Sequence, residues 1–419
     1  MELSEKKTKA RFKEIFSWCM FDFANSSYIT VVITTLYSTF FVSYIVIGKK
    51  GDFFWAIATA AGNLLTVIIG PVLGAISDFK ASKKRYLIIT SILCIFATML
   101  LYFPGKGDIF FSMLLVSVSY MAFALTENFI SSFLPEISSK KNMGKISGYA
   151  WALGYIGGVI SLIISIFIIK KFGNVQGVKI SMLFIGVFFF LSALPSFINL
   201  KERSMKKALP KGKKILKAAF SDLIETFKNA RKNKNLLVFL LSFFFFSCGI
   251  AIVFTFSAIY AKQELGFKMS ELMLLIIGVN LLASVGAFIF GYIQDKIGAK
   301  LTVIITLIIW CAVILGITLT TGKTAFFAIG IFVGLSLGST QSASRAMIGL
   351  LTKDGRFGED YGLWGLSGKF AAIIGSLSFG LLVYLTNSRR LAVLATLIFF
   401  VLGLIILFFV KINKNFETE

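Results

Sequence analysis

The chain has 419 residues, of which 57% are hydrophobic and only 15% charged, with 46 phenylalanines and a mean hydropathy of +0.85. Ordinary globular domains carry about 25% charge, so the composition excludes one and calls for a chain solvated by lipid. The apolar runs are long and unbroken rather than alternating, which excludes a β-barrel and leaves helices, the other fold that satisfies its own backbone in hydrocarbon.

Twelve runs have the roughly 20 apolar residues a spanning helix needs. The first six are predicted at about 16 to 47, 53 to 78, 86 to 103, 109 to 134, 146 to 169 and 179 to 199. The first follows a basic tail; it is too long for a signal-peptide core and lacks a small-residue cleavage site, so it reads as a retained span. The second six fall near 236 to 260, 270 to 294, 301 to 320, 324 to 351, 361 to 386 and 391 to 410. The fold class is an all-α integral membrane protein, twelve transmembrane helices in two six-helix pseudo-repeats. Its units are an N-terminal bundle over 1–200, a basic linker over 201–235 and a C-terminal bundle over 236–419.

Within the linker, KKILKAAFSDLIETFKNARK places Ile215, Leu216, Ala219, Phe220, Leu223, Ile224 and Phe227 on one apolar stripe edged by lysines. Such a helix would lie along a membrane surface; a target helix for a regulatory protein is the alternative.

Forty-three basic residues face 20 acidic ones, a net charge of +23. With a cytoplasmic N-terminus, the inner segments collect 30 basic residues and the outer ones 11, so both termini are expected in the cytoplasm. The excess charge then faces an anionic leaflet rather than a nucleic acid. Cys19, Cys94, Cys248 and Cys311 fall on four different spans, and there is no histidine. Neither a disulfide framework, a zinc site nor a histidine-based relay is indicated, and no cofactor or metal is expected.

A repeat supports the division into halves. GAISDFKASKKR, after the second span, holds Gly74, Asp78, Lys83, Lys84 and Arg85; GYIQDKIGAK, after the eighth, holds Gly291, Asp295, Lys296, Gly298 and Lys300. The two aspartates are 217 residues apart. Each copy is a small residue, an acid at a helix end and a tight basic loop, and both read as gating loops.

At these residues the chain resembles the major facilitator superfamily, whose signature loop joins spans 2 and 3 and again spans 8 and 9; Ala81 and Ser82 stand where that family prefers glycine. Within it the chain is similar to the vacuole effluxer-like branch, the autophagy-related vacuolar amino-acid effluxers of fungi and their bacterial relatives. The matching stretches are DFANSSY at 22 to 28, GPVLGAISD at 70 to 78, NFISSFLPEI at 128 to 137, SGYAWALGYIGG at 147 to 158, LPSFINLKER at 194 to 203, KNLLVFLLSFFFF at 234 to 246, GSTQSASRA at 338 to 346 and LSGKFAAIIG at 366 to 375. Ser247, Cys248 and Gly249 stand where relatives tend to carry Asn-Asp-Gly, so coupling through that acid is in doubt here. The resemblance implies a secondary transporter of small solutes, which for the fungal members are amino acids leaving a storage compartment.

Four charged residues lie well inside the predicted spans: Asp22, Glu127, Arg345 and Lys369. Each is about six to eight residues from the inner end of its helix, a shared depth of about 9 to 12 Å. The acids belong to the first half and the bases to the second. In a carrier whose halves rock about a central site, they suit a cytoplasmic gate in which Glu127 pairs with Arg345 or Lys369 and Asp22 with the other. Static pairs that merely neutralise one another are the alternative, and a third reading makes Glu127 or Asp22 a proton carrier. Polar neighbours at or beyond that depth are Asn25, Ser26, Tyr28, Asn63, Asn128, Asn280, Thr340 and Gln341. The substrate and coupling set is Asp22, Asn25, Glu127, Asn128, Thr340, Gln341, Arg345 and Lys369. Gly154 and Gly158, spaced GxxxG, and Gly362, Gly365, Gly368 and Gly375 read as packing positions.

The expected function is secondary active transport of a small polar metabolite, amino acids first, with proton coupling and efflux or symport as its form. The protein would act as a monomer in a bacterial inner membrane, its partners the small-molecule substrate and the bilayer. A receptor or scaffold, or a lipid-handling carrier, is the alternative. A membrane-embedded enzyme is disfavoured because no nucleophile and base pair, metal cluster or phosphate-binding loop is found.

Overall fold

The computed structural model describes residues 12–46, 51–139, 141–203, 233–267, 269–352, 357–386 and 388–411. The apolar linker stripe lies outside them. The first span opens as α1 (Phe12–Tyr28), passes through π-helical turns at Ile29–Thr35, a short α2 (Leu36–Phe40) and further π turns at Phe41–Ile45. It is followed by α3 (Gly51–Lys80), α4 (Lys83–Leu100), α5 (Ile109–Ser131), the four-residue α6 (Leu134–Ile137), α7 (Met143–Phe172) and α8 (Asn174–Asn199). The second half comprises α9 (Lys234–Leu265), α10 (Met269–Ile297), α11 (Ala299–Leu319), α12 (Lys323–Leu351), α13 (Phe357–Thr386) and α14 (Arg389–Phe408). No strand occurs among the described residues.

Eleven helical segments among the described residues are long and apolar enough to cross a membrane. The twelfth span, α4, is 18 residues long, and Lys83, Lys84 and Arg85 open it with three charges. Those charges shift its start to Lys83, ahead of the predicted 86, because a basic first turn still belongs to the helix while its side chains turn elsewhere. Phenylalanines and leucines outside the bundle, such as Phe110, Phe167, Leu319 and Leu385, are exposed. In hydrocarbon that is their favoured solvent, so the outside of the bundle is as apolar as its inside.

Two hydrophobic clusters form the cores. One gathers Trp18, Phe21, Leu87, Phe129, Met182 and Phe189 from α1 to α8, and the other gathers Phe239, Trp310, Met347, Trp364 and Phe400 from α9 to α14. They meet mainly through α7 against α10 and α13 against α3. The first contact is possible because Gly148 lies against the Ala287 carbonyl and the Cα of Gly291, so that a Cβ on Gly148 would come within 2.5 Å of that carbonyl oxygen. About two to three turns further along α7, Gly154 and Gly158 lie against the first span, at Ser26 and Thr30. Small residues on two faces of α7 thus seat it between α1 and α10, where the functional groups lie.

Candidate functional site between the two halves

The intramembrane charges separate into one closed pair and two single charges. Arg345, on α12, donates through Nη1 to Asp22 Oδ2, on α1, at 2.6 Å, with side chains only 2% and 7% exposed. The guanidinium lies between two indoles, 4.7 Å from the Trp151 ring and 5.4 Å from the Trp18 ring. Trp18 is one helical turn before Asp22 and shares its face. Tyr361, on α13, donates its hydroxyl to the Arg345 carbonyl at 2.9 Å. A buried ion pair holds when further groups surround it and fails when one partner is lost; here the faces of two aromatic rings supply the surroundings. The pair joins the two halves.

Glu127 and Lys369 do not form the second pair that depth and sign suggest. Among the described residues neither carries an ion pair. The Lys369 ammonium sits over the ring of Tyr120, 5.2 Å from its centre, two turns along α5 from Glu127. The cause is the packing of α5 on α13. Asn128 fills the notch at Gly365, where a Cβ would collide with Asn128 Oδ1. Lys369, one turn on, reaches away from that contact rather than back towards Glu127.

The polar residues named from sequence divide similarly. Asn25 is buried, and its Oδ1 accepts from the Thr126 hydroxyl at 3.5 Å. Tyr28 shares a hydrogen bond with Ser119 at 2.8 Å, and Asn280 donates to its own helix at Ile276. Thr340 turns into the second half: its hydroxyl accepts from the Trp310 indole at 3.1 Å and donates to the Ser336 carbonyl at 2.6 Å. Its proton is thereby committed to its own helix. Gln341 is half-buried. Asn63 is buried, with no hydrogen-bond partner for its Oδ1.

The two signature loops are built differently. Asp295 reaches across to the first turn of α7, accepting from the amides of Gly144 at 3.1 Å and Lys145 at 3.2 and 3.3 Å. A carboxylate there satisfies amides that have no partner within the helix and meets the positive end of its dipole. Gly291 lets α10 lie close enough, its Cα touching α7 at Gly148. Lys300 donates to the carbonyls of Phe408 and Val410 at 2.8 and 2.7 Å, and Lys296 is exposed. In the first copy Lys83 is buried, 2.8 Å from Glu136 and 3.9 Å from Asp78, with its ammonium 5.6 Å from the Phe357 ring. Lys84 donates to the carbonyls of Ile198 and Leu200 at 3.2 and 2.8 Å. Gly74 is buried under the Ser77 hydroxyl, and Arg85 is exposed. Beside this loop Arg203 makes a two-pronged contact with Glu14, both bonds at 2.7 Å, and that contact raises the guanidinium further above its ordinary pKa.

Every hydrogen bond between the halves, among the described residues, lies in the part of the membrane nearer the two chain ends. Besides Asp295 and the Asp22–Arg345 pair, Ser147 donates to the Ser342 carbonyl at 2.9 Å and Ser284 to the Ala152 carbonyl at 3.0 Å, and the Tyr149 and Tyr292 hydroxyls meet at 2.5 Å. No described hydrogen bond crosses between the halves in the outer part of the bundle.

Trp18, Trp151, Tyr361 and Glu136 were not singled out from sequence. Trp18 had a signal, four residues before an intramembrane acid; the other three meet their partners only through packing. Ser247, Cys248 and Gly249 are taken up by the second half: Gly375 lies on the Cys248 carbonyl and Gly249 on the Phe400 ring.

The chain matches the sequence profile described as vacuole effluxer Atg22-like over residues 49–419. It is 27% identical to a protein of Bacillus subtilis named as an uncharacterized MFS-type transporter, YxiO, covering 97% of each chain. It is 26% identical to autophagy-related protein 22 of Vanderwaltozyma polyspora, covering 88% of this chain and 76% of that one. Among solved structures it superposes on the proton:xylose symporter XylE with a TM-score of 0.77 at 14% identity, covering 96% of each chain. The fucose transporter FucP in its outward conformation gives a TM-score of 0.73, also at 14% identity, with 95% of this chain and 99% of that one covered. The twelve-helix fold is that of the major facilitator superfamily, and the chain belongs to its vacuole effluxer Atg22-like family of transporters.

Proposed function

We propose that this protein is a secondary active carrier of a small polar metabolite, amino acids first, working by alternating access. The observation that carries the reading is the one-sided bonding of the halves, with Asp22–Arg345 as the one ion pair between them among the described residues. Bonds confined to one side hold that side shut while leaving the halves free to part on the other, the arrangement rocking about a midplane site requires. When the closed side opens, Asp22 and Arg345 separate, and Asp295 leaves the amides of α7.

The basic excess of the inner segments makes the closed side cytoplasmic, with both termini there. Similarity to a Bacillus subtilis protein favours a bacterial inner membrane, and the fungal relatives favour amino acids and efflux. With no phosphate-binding loop in the sequence, uphill transport draws on an ion gradient, a proton first, carried by Asp22 or Glu127. One chain contains both halves and acts as a monomer.

The test is transport of a labelled amino-acid mixture in proteoliposomes with and without a pH gradient. Wild type is expected to show gradient-stimulated flux, and Asp22→Asn and Arg345→Gln to lower it at least about tenfold, as removing one member of a buried pair costs about 3–5 kcal/mol. A carrier whose flux survives either substitution has its gate elsewhere.

A further inference from the structure

We propose that Glu127 and Lys369 are the two side chains that read the charges of the transported solute, a small zwitterion whose ammonium group meets Glu127 and whose carboxylate meets Lys369. The assignment rests on the carrier reading above and concerns the substrate's own contacts, which the gate does not supply.

Intramembrane charge is costly unless paired, yet only two of the four such residues pair with each other. Arg345 is already held by Asp22 and enclosed by Trp18 and Trp151, with 1% of its surface exposed. It can receive a substrate carboxylate only after the gate has broken. Glu127 and Lys369 are half-buried, opposite in sign, on facing helices of opposite halves, and free of ion pairs among the described residues. The contact of Asn128 with Gly365 fixes their registration: Glu127 adjoins that contact on α5, and Lys369 lies one turn beyond it on α13.

The surroundings suit a small amphipathic molecule. Tyr120, beneath the Lys369 ammonium, stacks on Phe123 at 6.1 Å, and Phe123 lies 5.2 Å from Tyr28, forming an aromatic wall along α5 and α1. Next to Gly62, which packs on Tyr120, Asn63 is buried and its Oδ1 has no hydrogen-bond partner, a further polar group at the Lys369 end. A solute bearing both charges would neutralise Glu127 and Lys369 together, joining α5 of the first half to α13 of the second. A cation or an anion alone would leave one of them single. The selectivity is therefore for the combination.

The experiment measures binding to the purified carrier in nanodiscs with three probes: L-leucine, isopentylamine, which lacks the carboxylate, and 4-methylpentanoate, which lacks the amine. Wild type is expected to bind leucine about ten- to a hundredfold more tightly than either half-molecule, the size of a lost charged hydrogen bond. Glu127→Gln should lose that preference over 4-methylpentanoate alone, Lys369→Gln over isopentylamine alone, and Lys369→Arg should restore most of the latter. Unliganded thermal unfolding, read alongside, separates lost binding from lost folding, and the arginine variant keeps the test decisive if the glutamine variant unfolds. Leucine affinity unchanged within about twofold in both glutamine variants would overturn the assignment while leaving a carrier with another site. A wild type that binds no zwitterion but transports another solute would overturn it equally, and a wild type that transports nothing would overturn the carrier reading as well.

Discussion

The two signature loops carry nearly the same residues and use them for different ends. In the first, Lys83 turns inward and binds Glu136 and Asp78 of its own half, with the Phe357 ring of the other half beside its ammonium. In the second, Asp295 leaves its own half and bonds to the first turn of α7. What they share is the lysine that caps the sixth helix of each bundle, Lys84 on the end of α8 and Lys300 on the end of α14. A repeated motif thus keeps one structural duty in both copies, while its acid and its other base divide between stabilising a bundle and latching two together.

That comparison can be broken most sharply at Lys83. Lys83→Met removes the buried cation that Glu136 binds and should lower the stability of the first half by about 3–5 kcal/mol, read as a drop in thermal unfolding temperature; Lys83→Met with Glu136→Gln should recover more than half. If the double variant is no better than the single one, the pair is not what holds this loop. Asp295→Ala should behave differently. It removes charge-assisted bonds between bundles, so stability should change little while the ratio of closed to open states falls about ten- to a hundredfold. The readout is the rate at which a membrane-impermeant maleimide modifies Ser147→Cys, which should rise. A large loss of thermal stability with no gain in labelling would make Asp295 structural, like Lys83.

Smaller effects test the shared part. Lys84→Ala and Lys300→Ala should each cost about 1 kcal/mol, the scale of a cation on helix-terminal carbonyls, and the two costs should agree within experimental error. The smallest expected change sharpens the backbone comparison. Ala81 has a φ of 46°, alone among the described non-glycine residues in that region, and Gly298, at the equivalent place, has 87°. Ala81→Gly should therefore stabilise by about 1 kcal/mol, since a left-handed residue bearing a Cβ is strained by about that much, and Gly298→Ala should destabilise by a similar amount.

The spans were legible because runs of some twenty apolar residues have no other stable form in lipid. The signature loops were legible because a glycine, an acid and a basic turn recur at half-chain spacing. Depth and sign singled out Asp22 and Arg345 but left their partners open, because the rotation of each helix about its axis depends on packing. Gly154 and Gly158 bring α7 onto α1, and the notch at Gly365 turns Lys369 towards Tyr120. The same blindness to rotation put Thr340 among the solute contacts, whereas its hydroxyl is enclosed by Trp310 and Ser336. The indoles around Arg345 come from positions more than a hundred residues apart, which no local pattern encodes.

The π-helical turns of the first span bear on how such a bundle can move. Inward of Tyr28 the helix is regular and buried, with Trp18 and Asp22 fixed to it; outward, between Ile29 and Ile45, its winding changes three times, and Thr34, Thr35, Thr39 and Ser43 return their hydroxyls to the backbone. Each π turn stores an extra residue that tightening to regular α geometry would release. The first span is thus a stiff rod joined to a compliant one. Its outer end can lengthen, bend or rotate while the inner end keeps its register, so a movement that begins at the outer end need not be transmitted to the Asp22–Arg345 pair until the slack in those turns is used.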